Sequence, residues 1–388
     1  MGGTPPAPEG QMRQVAIFRH NLFKVSEPFI TEQAEHLRRY HPLYVGRLRY
    51  GAPPPGAESL ALSDLVKGWP IPFIARQMLT LDPAPYLRLL KGRSPALIHA
   101  HFGVEGVYAL PVAKRLGVPL VTTFHGFDAT LSTAALLASP AYAHYALGRQ
   151  RLARYGQMFL CASDFIRERL LGMGFPAERT RVHYIGVDCG AIIPRAPEEE
   201  ALEILHVARL VEVKGTEYLI RAFALAAPQH PNARLVIIGD GPLRAKLEKL
   251  AQVCGLAGRV AFLGAMPHAQ VLARMRRAAM LVLSSVRTSS GRVEGLGMVT
   301  LEAAATGVPV IGSALGGIPE VVADGQTGFL VPERAPEALG SKIGALLGDE
   351  TLRRNMGAAA RERAAQKFDI TRQTAVLEDL YDSLLEQE

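Results

Sequence analysis

The 388-residue chain has little cysteine: Cys161, Cys189 and Cys254 lie far apart and form no CxxC pair. That spacing argues against a disulfide-stapled fold or a thiolate metal site and fits free thiols in a reducing cytosol. No uninterrupted apolar run reaches the length of a bilayer span, so no transmembrane helix is expected. Residues 1–11 are polar and rich in Pro and Gly, without the basic-then-apolar layout of a signal peptide. They are expected to be disordered, and the protein cytoplasmic. There is no DxD that would hold a divalent cation with a diphosphate. The one HxH pair, His99 and His101, has no third ligand, so no metal site is expected. No GxGxxG follows the first strand, which argues against a Rossmann-type oxidoreductase. No internal repeat of fixed period is present.

The chain does contain enough apolar sequence for sizeable cores: 48% hydrophobic and 20% charged residues mark a folded protein. Its length suggests two domains. The net charge is +7 and unevenly spread. Residues 1–195 hold 22 Lys and Arg against 13 Asp and Glu, while the remainder holds 21 against 23. A basic half suits nucleic acid, an anionic membrane or an anionic substrate, or is simply a solvated surface. No nucleic-acid reading module accompanies it, so nucleic acid is not expected as a partner. Arg38-Arg39, residues 87–93 (LRLLKGR) and residues 149–154 are the candidate positions, and 87–93 mixes apolar and basic residues as an interfacial segment does.

Short apolar runs alternate with amphipathic stretches. Strands are predicted at 14–18, 96–100, 120–124 and 158–162, and then at 203–208, 234–238, 259–263, 280–284 and 308–311. Helices are predicted at 214–228 and at 242–254, the latter opened by Pro242 at its first position. Such alternation implies parallel sheets covered on both faces: an α/β chain of two doubly wound, Rossmann-like domains. The boundary is expected within 192–201 (IIPRAPEEEA), dividing 12–195 from 196–366. The tail from 349 reads as two helices broken near Phe368 and Asp369, and 52–56 (APPPG) as a surface loop.

The segment Glu294-Gly295-Leu296-Gly297-Met298 leads into a helix-forming stretch that carries Glu302. Glycines at a helix start bare the backbone N–H groups, and the positive end of the helix dipole makes an anion site there. Glu302, one turn further on, is placed to accept hydrogen bonds from a vicinal diol such as that of ribose, whereas an isolated glutamate would be a solvated surface residue. Gly239-Asp240-Gly241-Pro242 follows a strand at the ligand-binding edge of a sheet. Arg209 and Lys214 flank another strand-to-helix connection and suit a diphosphate. In the first half, His125-Gly126-Phe127-Asp128 follows a strand. His99 and His101 read as polar lining or as structural histidines.

These pieces together resemble the family 4 retaining glycosyltransferases, which have the GT-B fold. The resemblance is strongest over 202–331, through Arg209, Lys214 and Gly215, the GDGP turn, Glu294 and Glu302, EAAATGVPVIGSALGGIPEVV and DGQTGFLVP. FHGFD at 124–128, the IGVD segment ending at Asp188, and KVSEPFI at 24–30 extend it into the first half; the last is seen in members that build exported polysaccharides. The family's glycine-rich first loop is replaced here by residues 20–25. The resemblance implies that Arg209 and Lys214 neutralise a donor diphosphate. Amides around Gly295, Leu296, Gly297 and Met298 would hold phosphates and sugar, Glu302 would clasp ribose and Glu294 the transferred sugar. Gly239, Gly241 and Pro242 would shape the donor pocket, and His125, supported by Asp128, would approach the donor sugar. It also implies a metal-independent, cofactor-free, retaining transfer of a hexose from a UDP- or GDP-sugar to a glycan or lipid-linked acceptor, with a final helix, 367–388, returning to the first domain. The basic, Arg-rich first half suggests that the acceptor is anionic and that the enzyme works as a peripheral protein at the inner face of the membrane. A non-catalytic nucleotide-sugar-binding protein and a GT-B epimerase or phosphorylase are the alternative readings.

Overall fold

Runs of Val, Ile and Leu that are apolar at every position make strands buried on both faces, the requirement of a parallel sheet. The computed structural model describes residues 12–24, 26–196 and 200–386. It contains a seven-stranded and a six-stranded sheet, with a minor pairing of Asn21–Leu22 with Leu48–Arg49. The expected disorder of residues 1–11 and part of the expected boundary, 197–199, fall outside the described residues. The chain divides into two compact units. The first comprises 12–162, Ile166–Ile185 and the chain from Ile370; the second comprises Ser163–Phe165 and Gly186–Asp369.

In the first unit the strands are β1 (Arg13–Phe18), β2 (Tyr40–Gly46), β3 (Glu58–Ala61), β4 (Leu97–His101), β5 (Leu120–Phe124), β6 (Met158–Cys161) and β7 (Thr180–Val182). They are hydrogen-bonded in the order β3-β2-β1-β4-β5-β6-β7, all parallel. The order reverses between β1 and β4, which opens the crevice where ligands of doubly wound sheets bind. The last helix, Ile370–Leu385, belongs to this unit. Leu377 and Tyr381 enter its core beside Val15, Ile17 and Leu97. Glu378 accepts the backbone N–H groups of Arg38 and Arg39 at 2.7 and 2.6 Å.

In the second unit the strands are β8 (Glu203–Val207), β9 (Arg234–Ile238), β10 (Val260–Gly264), β11 (Met280–Leu283), β12 (Val310–Ser313) and β13 (Gly328–Val331). Their order is β10-β9-β8-β11-β12-β13, again parallel, with the reversal between β8 and β11. The two-residue period of a strand divides this core in two. Leu235 and Ile237 of β9 and Met280 and Val282 of β11 face one cluster, with Leu219 and Phe223 of the helix Thr216–Ala226 and Leu339 and Ile343 of the helix Pro336–Gly348. Val236, Ile238, Leu281 and Leu283 face the other, with Met275, Ala303 and Val308. Burying one side chain of Phe223's size contributes roughly 1.5–3 kcal/mol, so the two layers hold the sheet rigid beneath its loops.

Several local expectations are revised. The helix predicted at 214–228 begins only at Thr216, because Gly215, at φ +59°, ends a short 3-10 turn and redirects the chain. Pro242 is not the first helical residue: it lies in a turn, and the helix runs Arg244–Val253. The sequence pattern missed β2, which contains Pro42, the edge strand β3 with its Glu58, and β13, which opens on a glycine. The expected break between the last two helices lies at Phe368 and Asp369.

Candidate functional site

The loops at the carboxyl edge of the second unit's sheet carry most of the residues singled out from sequence. Gly215 brings the loop after β8 against the loop after β11. A β-carbon there would lie 1.9 Å from the Ser284 carbonyl oxygen, so only glycine fits. The Ser284 hydroxyl donates to the Gly215 carbonyl at 3.0 Å, and the Val286 N–H to the Val213 carbonyl at 2.9 Å. This close approach puts Lys214 Nζ 2.5 Å from Glu294 Oε2, with the two side chains 19% and 16% exposed. The Ser285 hydroxyl adds a bond to the same oxygen at 3.3 Å. Burial would raise the Glu294 pKa, but the Lys214 charge and these hydrogen bonds outweigh it and hold the carboxyl below its ordinary value. Arg209 is exposed, and no ion-pair partner for it occurs among the described residues.

Gly297, at φ +83°, caps the helix Met298–Thr306, which has no side-chain cap at its N-terminus. A β-carbon at Gly297 would approach Leu283 to 2.9 Å. The first N–H groups of this helix therefore meet no capping side chain, and the positive end of its dipole lies beside the Lys214–Glu294 pair. Glu302, one turn in, pairs with His268 Nε2 at 3.0 Å and keeps 17% side-chain exposure. The GDGP turn is built by close approach as well. Gly239, at φ +128°, would place a β-carbon 2.0 Å from the Ala208 carbonyl oxygen, and Gly241 one 2.5 Å from that of Leu210. Pro242 is exposed in the same turn. Lys214, Glu294, Gly295, Leu296, Gly297, Met298 and Glu302 thus lie along one edge, with Arg209 and the GDGP turn on adjoining strand ends.

Sequence reasoning missed Gly316, Gly317, Ser163 and His268 as parts of this edge. Gly316, at φ +64°, packs on the Glu294 carbonyl and Gly317 on that of Gly295; their β-carbons would lie 2.1 and 2.0 Å from those oxygens. The Ser163 hydroxyl donates to the Gly295 carbonyl at 2.7 Å. The adjacent glycine pair was a readable signal for a tight approach. Nothing local marked Ser163 or His268.

His125 and Asp128 lie in the first unit. His125 follows β5 and packs against Phe29 and Phe102, ring centroids 5.0 and 4.5 Å away. His101 Nδ1 pairs with His125 Nε2 at 3.1 Å, and the rings of His99, His101 and His125 stack in sequence. Burial, and then the neighbouring cations and imidazoles, push the pKa of His125 well below that of a free imidazole. His99 is fully engaged, by Tyr381 at 2.5 Å and Thr123 at 2.6 Å, and is structural. The Asp128 carboxylate ties two loops together by accepting the N–H groups of Gly103 at 2.9 Å and Gly126 at 3.0 Å. Burial nevertheless raises its pKa to about 6. A further network went unread in the sequence: Arg19 binds Glu27 through Nε at 2.8 Å and Nη2 at 2.9 Å, and also binds the buried Glu105. His20 Nδ1 lies 3.1 Å from Glu105. Burial opposes ionisation of Glu105, but Arg19 and His20 bring its pKa down to about 2.

Among the described residues no group of three or more His, Cys, Asp or Glu is arranged to hold a metal ion. No helix there is long and apolar enough to cross a membrane.

Residues 26–190 match the family model "Glycosyltransferase Family 4", and residues 192–363 match "Glycosyl transferases group 1". The chain is 34% identical over 288 residues to WcaL of Salmonella typhimurium, provisionally assigned as a colanic acid biosynthesis glycosyltransferase; the match spans 72% of this chain and 69% of that protein. It is 31% identical over 243 residues to the amylovoran biosynthesis glycosyltransferase AmsK of Erwinia amylovora, spanning 62% of this chain and 58% of that protein. The fold is that of Anabaena Alr3699/HepE, solved with UDP, at TM-score 0.74 and 21% identity over 96% of this chain and all of that one. The uncapped helix start, the lysine–glutamate pair beside it and these likenesses converge: the chain belongs to the family 4 and group 1 glycosyltransferases and has their GT-B fold.

Proposed function

We propose that the protein transfers a hexose from a nucleoside-diphosphate sugar to a hydroxyl of a lipid-linked glycan during synthesis of a bacterial surface polysaccharide, with retention of anomeric configuration and without a metal. The observation that carries the donor assignment is the helix start at Met298, uncapped by any side chain and flanked by Lys214, Glu294 and Glu302. As the sugar leaves, negative charge grows on the diphosphate, and fixed N–H groups with Lys214 and Arg209 stabilise that charge more than the ground state. Glu302 takes the ribose diol and Glu294 the transferred sugar, so neither acts as nucleophile. His125 is assigned to the donor sugar on the family resemblance alone. The polysaccharide context is supported by the names of the relatives, colanic acid and amylovoran proteins. UDP is supported as the donor nucleotide by the HepE complex.

A thermal-shift panel of nucleoside diphosphates and their sugars, with and without chelator, tests this reading. Stabilisation by one nucleoside diphosphate, indifferent to chelator, is expected. Response to none of them, or only to a dinucleotide, would end it. A non-catalytic binding protein would give the same shift with no transfer of labelled sugar.

A cytoplasmic enzyme acting on a lipid-linked acceptor meets the anionic inner membrane surface. The basic segments singled out from sequence are partly spent: Arg39 pairs with Asp379 and Asp382, Arg93 pairs with Glu58, and Leu90 is buried. The helix Ile71–Thr80 supports the reading better. It buries Gln77 while Ile71 and Leu79 are exposed, next to the chain's one tryptophan, Trp69, which is 74% exposed. Lys67 and Arg76 are exposed on the same stretch. Exposed apolar residues among cations suit an anionic interface. The tryptophan is its own probe: emission should shift to the blue with anionic vesicles and not with neutral ones, and an equal response to both would count against membrane contact.

A further inference from the structure

The helix His268–Met275 begins at the carboxyl edge of the second unit's sheet, just past the end of β10. Its Val271, Leu272 and Met275 pack into the apolar cluster that also takes Val299 and Ala303 of the helix Met298–Thr306. Residues three and four apart share a helix face. His268 therefore prolongs the first apolar stripe by one turn, and Glu302 stands on the second, three positions after Val299. The two polar residues meet where the stripes end: His268 Nε2 lies 3.0 Å from Glu302 Oε1. An ionised carboxylate only accepts, so Nε2 carries the proton and donates the hydrogen bond.

The pair matters little to the fold. The two side chains are 44% and 17% exposed, and exposed ion pairs contribute little to stability. Its consequence is for the position of Glu302. A glutamate on a helix surface samples many rotamers, and a ligand that binds it must hold one of them. His268, rooted through its own helix in the same cluster, fixes the carboxylate in advance. A carboxylate offers about four acceptor positions, and the imidazole takes one. Oε2 has no hydrogen-bond partner among the described residues, so the carboxylate can still accept two further donors.

We propose that His268 is a positioning residue for the donor nucleotide: it holds Glu302 in the orientation that receives the 2′ and 3′ hydroxyls of ribose, and so sets the discrimination between ribonucleotides and deoxyribonucleotides. The role rests on the assignment of Glu302 to the ribose and adds the residue that makes that carboxylate selective.

Isothermal titration calorimetry of the full chain tests this with UDP, GDP and their 2′-deoxy forms. Removing a ligand hydroxyl that a carboxylate accepts costs about ten-fold or more, so the wild type should prefer the ribonucleotide by that factor. His268→Phe keeps a ring and removes the donor; the preference should shrink about three- to ten-fold, the usual cost of ordering one side chain on binding. His268→Gln restores an N–H donor and should recover most of the preference. A role confined to packing would weaken the ribo and deoxy forms alike and leave their ratio unchanged. An unchanged ratio in His268→Phe, or the same loss in His268→Phe and His268→Gln, overturns the positioning role. Glu302→Ala separates the two assignments. Loss of the preference in Glu302→Ala with an unchanged ratio in His268→Phe removes His268 alone. No preference in the wild type, or one that survives in Glu302→Ala, removes the ribose assignment and the role of His268 with it.

Discussion

Replacing Lys214 by methionine separates what the Lys214–Glu294 pair does for the fold from what Lys214 does for the donor. The two charges lie 2.5 Å apart, each less than one-fifth exposed. Removing one partner of a fully buried pair costs about 3–5 kcal/mol, and exposed pairs contribute about 0–1 kcal/mol. Partial exposure places this pair between them, at roughly 1–3 kcal/mol. For a unit of this size about 2 kcal/mol corresponds to a fall of roughly 4–8 °C in melting temperature. The pH dependence has a definite sign. The folded pKa of Glu294 is depressed, so the pair's contribution is fully present above the unfolded value, about 4.3, and is lost as pH falls through the folded pKa. In Lys214→Met, burial dominates and Glu294 becomes an acid whose folded pKa is raised. Its penalty is absent at low pH and grows as pH rises through that pKa. The deficit relative to wild type should therefore be small near pH 4 and full at pH 7. Adding Glu294→Gln to Lys214→Met should recover most of the lost stability, because the stranded charge is gone, without restoring nucleoside-diphosphate affinity. That affinity should fall about ten-fold or more in both variants, the usual scale of a charge-assisted hydrogen bond. Melting curves at several pH values and nucleotide titrations read both effects. Strictly additive single and double variants, or a deficit that does not change between pH 4 and pH 7, would refute the reasoning.

Glu302→Ala should weaken nucleotide binding about ten-fold or more by calorimetry; Glu294→Gln should spare the nucleoside diphosphate and weaken its sugar conjugate. Gly317→Ala puts a β-carbon 2.0 Å from the Gly295 carbonyl, so the loop must move. Transfer should collapse and the melting temperature should fall, whereas Gly325→Ala, in open space but also at positive φ, should lower stability modestly and leave turnover alone. Asp128 has a folded pKa near 6, above its unfolded value near 3.9, so it opposes folding at pH 7 by about 2–3 kcal/mol, and that opposition declines as pH falls below 6 and is gone only below about 3.9. Asp128→Asn should flatten this part of the stability profile, at the cost of one of the two loop hydrogen bonds, as followed by melting between pH 4.5 and 7.5.

Much of the second unit was legible in the chain. Runs such as LVII at 235–238 are apolar and buried at every position, and only a strand covered on both faces satisfies them. The glycines at 215, 239, 241, 295 and 297 announced turns, and four of these positions have the close approaches or positive φ that demand glycine. The edge strand Glu58–Ala61 and the proline-containing Tyr40–Gly46 were not legible, because half-exposed or interrupted strands lack that pattern. Pro42 survives where its missing N–H leaves the neighbouring pairings intact.

Composition, strand-helix rhythm and glycine spacing determined the α/β class, the two sheets and the tight glycine turns at one sheet edge, since these depend on local burial and local backbone freedom. The sequence alone left the pairing of charges undetermined. That Glu294 lies against Lys214, 80 positions earlier, and that Arg19 is shared between Glu27 and Glu105 were decided only when the sheets brought distant loops together. Electrostatic energy depends on distances between side chains remote in sequence, and burial sets its strength.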